Sequence, residues 1–316
     1  MRLAGLAPVI AGFVGVLLAG VWLRRTKRLG LEPDVAAALL AALVIDVTLP
    51  ALTFEGLLRK RLDLALALAV VPPTVAELVV LALAWALGRA MKLSPPALGA
   101  VILCAGFSNT AFVGLPLTAS LLPGDATALQ TAILIDAVDT TALLWTLGVA
   151  LAARFGDPTV SGPRPRTADV LTRPATLAMF LGGGLSALGL TPPGWALAPL
   201  RQLGAATIPL VFVVLGLRLS FDGVRERLPA VGLVVLLRLV VAPAIALGLV
   251  HALGLHGPRA VVSVLQAAMP SALVGSMIAT RMGCDDRLSS AAVVGTFAAS
   301  VPALAAWSAA TSALLN

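Results

Sequence analysis

The chain has 316 residues, of which 59% are hydrophobic and 12% charged, and its mean hydropathy is +1.01. Soluble domains are about 45–50% apolar and about 25% charged, so this composition excludes an ordinary soluble protein. The formal charge of +7 at pH 7 follows from Lys and Arg gathering in loops on one membrane face, which leaves no need for a nucleic-acid partner.

Continuous apolar runs of about 20 residues recur along the chain, each long enough to cross a bilayer core of about 30 Å as a helix. They lack the alternation of a membrane β-barrel. The expected fold class is therefore an all-α membrane protein embedded in a lipid bilayer. The first run, Leu6–Leu23, has only Arg2 before it and Arg24, Arg25, Lys27 and Arg28 after it. A secretory signal has the reverse order, so this is a true first span with its N-terminus outside.

Ten spans are expected, at 5–23, 34–57, 63–88, 95–120, 126–152, 175–191, 196–221, 229–252, 258–281 and 288–314. The basic groups Arg24–Arg28, Arg89/Lys92, Arg154–Arg173, Arg218–Arg227 and Arg281/Arg287 then lie inside, as positive residues do in inner-membrane proteins. The loop Arg59–Arg61 is a basic exception outside. Both termini fall on the outer face. The Pro/Thr/Arg-rich stretch from Arg154 to Pro174 separates five spans from five. It divides the chain into a first repeat (1–153), a cytoplasmic linker (154–174) and a second repeat (175–316).

"VTLPAL" at Val47–Leu52 is echoed by "ATIPLV" at Ala206–Val211, and "VGLPLTASLLPGD" at Val113–Asp125 by "VGSMIATRMGCDD" at Val274–Asp286. Both offsets are roughly 160 residues, the mark of an internal repeat. Two homologous five-span halves must sit upside down relative to each other. Inverted repeats of this kind characterise secondary transporters, whose sites lie at discontinuous helices near the midplane.

Two spans carry helix breakers. Span four is expected to be interrupted at Asn109–Pro116 and span nine at Ala267–Ser276. Pro116 and Pro270 each remove a backbone donor, while Gly114 and Gly275 tolerate unusual torsions. If both breaks share one depth, half-helix N-termini would favour an anion and freed carbonyls a cation. Ser108, Asn109, Thr110, Ser271 and Ser276 are the polar side chains within reach.

Here the sequence resembles the auxin efflux carrier family. "SNTAFVGLPL" at Ser108–Leu117 and "LIDAVDTTALLWTLGVAL" at Leu134–Leu151 are similar to that family's fourth and fifth spans. "AAMPSALVGSMIATRMG" and "LSSAAVVGTFAASVPAL" resemble its ninth and tenth, and "LPAL" at Leu49–Leu52 its second. The resemblance implies two inverted five-helix repeats, with spans 1, 2, 6 and 7 as scaffold and spans 3–5 and 8–10 as a moving transport domain. Spans four and nine would cross where they unwind, and an elevator motion would carry an organic anion. Asn109 and Pro116 match the family's asparagine and crossover proline, and Val274 and Gly275 occupy the ninth-span crossover. The chain departs there: many bacterial members have asparagine at the position of Val274, and plant members proline at that of Gly275. The acid/lysine pair of the plant proteins in span three is also unmatched, with Glu77 nearby, so auxin is not the expected substrate.

Ionisable groups fall inside several spans: Asp46, Glu77, Asp136, Asp139 and Arg238. Each charge near the bilayer centre costs at least about 2.5–3.5 kcal/mol and needs a partner or water. Asp136 and Asp139 are three residues apart and share a helix face. They are candidates for coupling to H+ or Na+, for pairing with Arg238, or for solvated positions near the span end; these readings stay open. Arg238 could also hold a substrate carboxylate in a bidentate pair. His251 and His256 belong to the interface, and Cys104 and Cys284 lack metal-ligand spacing.

No G-x-S-x-G, H-E-x-x-H or P-loop is present, so neither an enzyme nor a cofactor is expected. The expected function is secondary transport of small organic anions, carboxylates above all, across a bacterial-type inner membrane. A sodium-coupled symporter like the bile-acid carriers and a non-translocating receptor are the rivals. The scaffold helices leave room for a homodimer.

Overall fold

The structure, a computed structural model, describes residues 3–58, 64–159, 172, 174–218 and 227–315. The loop Arg59–Arg61 and most of the linker expected at 154–174 lie outside the described residues. All regular structure is helical, and no strand occurs among the described residues. Among the described residues, six helices are long and apolar enough to cross a membrane: Pro33–Leu58, Leu66–Ala90, Ala126–Phe155, Gly194–Arg218, Leu228–Ala252 and Asp286–Thr311.

In chain order the helices are α1 (Leu3–Thr26), α2 (Pro33–Leu43), α3 (Leu49–Leu58), α4 (Leu64–Leu68), α5 (Val71–Ala90), α6 (Pro95–Gly106), α7 (Leu115–Leu121), α8 (Ala126–Asp136) and α9 (Val149–Phe155). They continue as α10 (Pro174–Leu188), α11 (Gly194–Arg218), α12 (Leu228–Leu236), α13 (Ala242–Ala252), α14 (Gly257–Ala267), α15 (Leu273–Arg281) and α16 (Asp286–Thr311).

In three places a π-helical stretch ends two residues before a proline: Val44–Thr48 before Pro50, Thr110–Gly114 before Pro116, and Leu237–Val241 before Pro243. The cause is local. A proline lacks the N–H owed to the carbonyl four residues back, and its ring crowds that carbonyl, so the turn ahead of it widens. A widened turn re-aims the side chains it contains. Pro243 leaves the carbonyl of Leu239 without its helical donor, and Trp307 Nε1 donates to that oxygen instead, at 2.8 Å.

The chain divides into two compact units. The first comprises Met1–Leu64, Ala111–Ile133 and Ala168–Leu219. Within it α1 meets α11 through glycines. A Cβ on Gly20 would stand 2.4 Å from the Val213 carbonyl oxygen, and one on Gly216 would stand 2.2 Å from that of Leu17. Small residues are what let two apolar helices approach closely when lipid supplies no hydrophobic drive. Ala36, Ala37 and Leu217 form a buried cluster beside this contact.

The second unit comprises Ala65–Thr110, Leu134–Thr167 and Ser220–Asn316. Its core is built from α5, α6, α12 and α16, with Val80, Val101, Leu103, Val234 and Ala292 buried. Ala76, Ala246 and Ala267 bring α5, α13 and α14 together, and the Ser263 hydroxyl donates to the Ala69 carbonyl at 2.5 Å. Asp285 caps α16, its carboxylate accepting the Leu288 N–H at 2.9 Å.

Candidate functional site

Both expected interruptions occur, and both are shorter than anticipated. The first occupies Phe107–Asn109, after which the π stretch Thr110–Gly114 and α7 follow. The second occupies Ala268–Ala272. Pro270 lies inside its break, whereas Pro116 lies within the continuous helix Thr110–Leu121, where its missing N–H widens the turn ahead of it. Gly114 has right-handed helical torsions (φ −67°, ψ −47°). Val274, Gly275 and Ser276 are helical residues of α15. The expectation that Gly114, Pro116, Val274 and Gly275 form unwound backbone is therefore corrected. Prolines 116 and 243 widen a helix; they do not open one.

The opened backbone does not stay open. The Asn109 N–H donates to the Pro270 carbonyl at 2.8 Å and the Ala272 N–H to the Phe107 carbonyl at 2.9 Å. This makes an isolated antiparallel bridge between Ser108 and Ser271. The two interrupted segments thus satisfy each other, as buried backbone polar groups must.

An α-helix leaves its last four carbonyls without intrahelical donors. In α6 those are Leu103, Cys104, Ala105 and Gly106. The Phe107 N–H reaches Leu103 at 3.2 Å, and the Ser271 hydroxyl reaches Cys104 at 2.6 Å. Arg238 Nη1 donates to Gly106 at 2.5 Å and to Ala105 at 3.3 Å. In α14 the Ala268 and Met269 amides serve Val264, Leu265 and Gln266, and Arg238 Nη2 donates to Ala267 at 2.6 Å. One guanidinium therefore closes both half-helices, and it is only 1% exposed.

The acids gather at the same place. Ser108 Oγ donates to Asp139 Oδ2 at 2.9 Å. Thr110 Oγ1 lies 2.6 Å from Asp136 Oδ1 and 3.4 Å from Asp139 Oδ2, so its single hydrogen goes to Asp136. Glu77 and Asp139, both buried, interact directly, and both act electrostatically on Arg238. Glu77 Oε1 and Asp139 Oδ1 have no donor among the described residues. Two carboxylates cannot donate to each other, so their contact closes only when one carries a proton.

Of the polar side chains expected at the site, Ser108, Asn109, Thr110 and Ser271 come together with Glu77, Asp136, Asp139 and Arg238. The hydroxyl hydrogens of Ser108, Thr110 and Ser271 are already committed to protein acceptors. Ser276 turns back onto the Leu273 carbonyl at 2.8 Å. Arg238 makes its hydrogen bonds to carbonyls, while Glu77 and Asp139 act on it through charge; neutralisation by an acid is one of the readings left open above. Asp46 belongs to the first unit and is exposed, and His251 and His256 are exposed.

A family of sequences described as "Membrane transport protein" matches residues 7–168 and 166–308. The chain belongs to this family, that of the auxin efflux carriers. An uncharacterized transporter of Methanothermobacter thermautotrophicus is 32% identical over 286 residues, which is 89% of this chain and 91% of that protein. A second uncharacterized transporter, from Methanocaldococcus jannaschii, is 28% identical over 232 residues, covering 71% of this chain and 73% of its own. The family and the apolar helices together make this a multi-pass integral membrane protein, as the fourth-span motif implied.

Sequence reading missed two features of this family member. Thr296 Oγ1 accepts the Ser271 N–H at 3.1 Å and so anchors the second break from α16; a threonine in an apolar helix was the available signal. In the first unit, Glu55 pairs with Arg201 at 3.0 Å on the wall of a cavity of about 310 Å³. Leu52, Leu122, Pro123 and Asp125 also line it. Glu55, an acid inside the second apolar run, was as visible as Asp46.

Proposed function

We propose that this protein is a secondary transporter of small carboxylate anions that binds its substrate beside the bridge between the two interrupted segments. The observation that carries the reading is the reciprocal pair of backbone bonds joining Asn109 to Pro270 and Ala272 to Phe107. Two interrupted membrane helices meeting at one place are the usual construction of a transporter site. Asn109 stands at the end of one interruption, and α15 begins at the end of the other. The first amides of α15, at Leu273, Val274 and Gly275, and its dipole favour a carboxylate. Ser108 and Thr110 serve this site indirectly, by holding Asp139 and Asp136.

In this reading the chain forms ten spans in two inverted repeats, 1–153 and 175–316 joined by 154–174, with both termini outside an inner or plasma membrane. Spans 1, 2, 6 and 7 act as scaffold and as the surface for a homodimer. Spans 3–5 and 8–10 travel as an elevator. The carboxyl pair of Glu77 and Asp139 takes up and releases the coupling proton, with Asp136 beside it.

Counterflow of labelled mono- and dicarboxylates in proteoliposomes tests the proposal. Substrate exchange is expected with wild type and is lost in Asn109→Ala, while that variant's melting temperature stays near the parent's. Wild-type exchange by Asn109→Ala would remove Asn109 from the site. Binding of a carboxylate without any exchange would make the protein a receptor.

A further inference from the structure

The negative ends of two half-helices, α6 and α14, point at one spot, where the carbonyls of Ala105, Gly106 and Ala267, which the neighbouring amides and the Ser271 hydroxyl leave over, are what a bound cation would coordinate. That spot is filled by the chain itself. Arg238 comes from the π stretch that Pro243 imposes on the eighth apolar run. Its guanidinium donates to Ala105 and Gly106 at the end of α6 and to Ala267 at the end of α14. It is nearly fully buried, and Glu77 and Asp139 supply countercharge.

We infer that Arg238 is a tethered cation that occupies the cation site of the two interrupted helices, so that no sodium or other metal ion binds there. Its role is to hold two carbonyl ends together by charge. Removal of the guanidinium exposes a vacant cation site of matching shape, which a free guanidinium ion refills. The consequence for energy coupling, that transport needs no sodium gradient, rests on the transport reading above. Occupancy of the site does not.

Purified wild type, Arg238→Ala, Arg238→Gln and Arg238→Lys are compared by thermal unfolding in sodium, in choline and in choline with millimolar guanidinium. Wild type is expected to melt at the same temperature in all three. Arg238→Ala is expected to melt several degrees lower in choline and to recover at least half of that loss with guanidinium. Arg238→Lys, which keeps the charge, is expected to lie closer to wild type than Arg238→Gln. Stabilisation of wild type by sodium over choline would overturn the inference. So would an Arg238→Ala protein indifferent to guanidinium. If Arg238→Ala does not fold, the Lys and Gln variants decide, and equal stability of these two overturns it. Carboxylate counterflow by wild type is run in parallel, so loss of the transport reading leaves the thermal result standing.

Discussion

Glycine at two positions near the breaks has opposite physical weight. Gly106 ends α6 with Leu81 pressed against it, so an added Cβ would meet Leu81 Cδ2 at 2.1 Å. Gly275 has ordinary clearance, with its nearest neighbour, the Ala272 Cβ, at 3.5 Å. Gly106→Ala should therefore lose about 1–3 kcal/mol through overpacking, while Gly275→Ala should be within about 0.5 kcal/mol of the parent; chemical denaturation in detergent compares them. The sequence marks Gly275 as part of a break and gives no sign of the demand on Gly106; the neighbour's position separates them. The cysteines follow the same logic. Cys284 lies in the turn before α16, and burial pushes its thiol up to about 11, which keeps the reactive thiolate scarce. Maleimide labelling of the folded protein at pH 7.5 should be slow at Cys284 and become fast on denaturation.

Elements show how a proline acts at a distance of a few residues. Pro243 widens the helix at Leu237–Val241, and that widened turn carries Arg238. Pro243→Ala restores the missing N–H to Leu239, whose oxygen is held by Trp307, and lets the helix tighten. Transport by Pro243→Ala should fall at least tenfold even though the substitution favours a helix, because the guanidinium no longer reaches both carbonyl ends; counterflow measures it. At α1 and α11 the argument is closeness. A valine at Gly216 would thrust into the Leu17 carbonyl, and Gly216→Val should lower the melting temperature by several degrees. Helix positions were legible because apolar length and breakers act locally. The extent of each break was not. A chain opens only as far as partner donors and acceptors allow, and those partners lie about 160 residues away.

For the whole molecule, the second unit concentrates the buried charge. Glu77, Asp139 and Arg238 come from three different apolar runs, with Ser108 donating to Asp139 and Thr110 to the adjacent Asp136. With one shared proton, the two acids and the arginine sum to zero charge, the state that a low-dielectric interior tolerates best. Asp139→Asn keeps the shape and removes the need for that proton. Carboxylate exchange by wild type should vary with pH, and in Asp139→Asn it should become flat. A variant that keeps the wild-type pH profile would take Asp139 out of proton handling.

Composition and the continuous apolar runs by themselves determined that this protein is helical and lives in a membrane, because run length and charge distribution are local properties that are read along the chain. The motif at Ser108–Leu117 identified the family, since a polar, glycine- and proline-bearing segment inside an apolar run has few structural uses. Tertiary structure decided the rest. It placed the breaks at Phe107–Asn109 and Ala268–Ala272, committed the Ser108 and Thr110 hydroxyls to the aspartates, and gave the hydrogen bonds of Arg238 to carbonyls while acids supply its countercharge. The reason is that hydrogen-bond partners are set by what folds alongside a residue, and a single sequence read in order does not say which distant oxygen will be waiting.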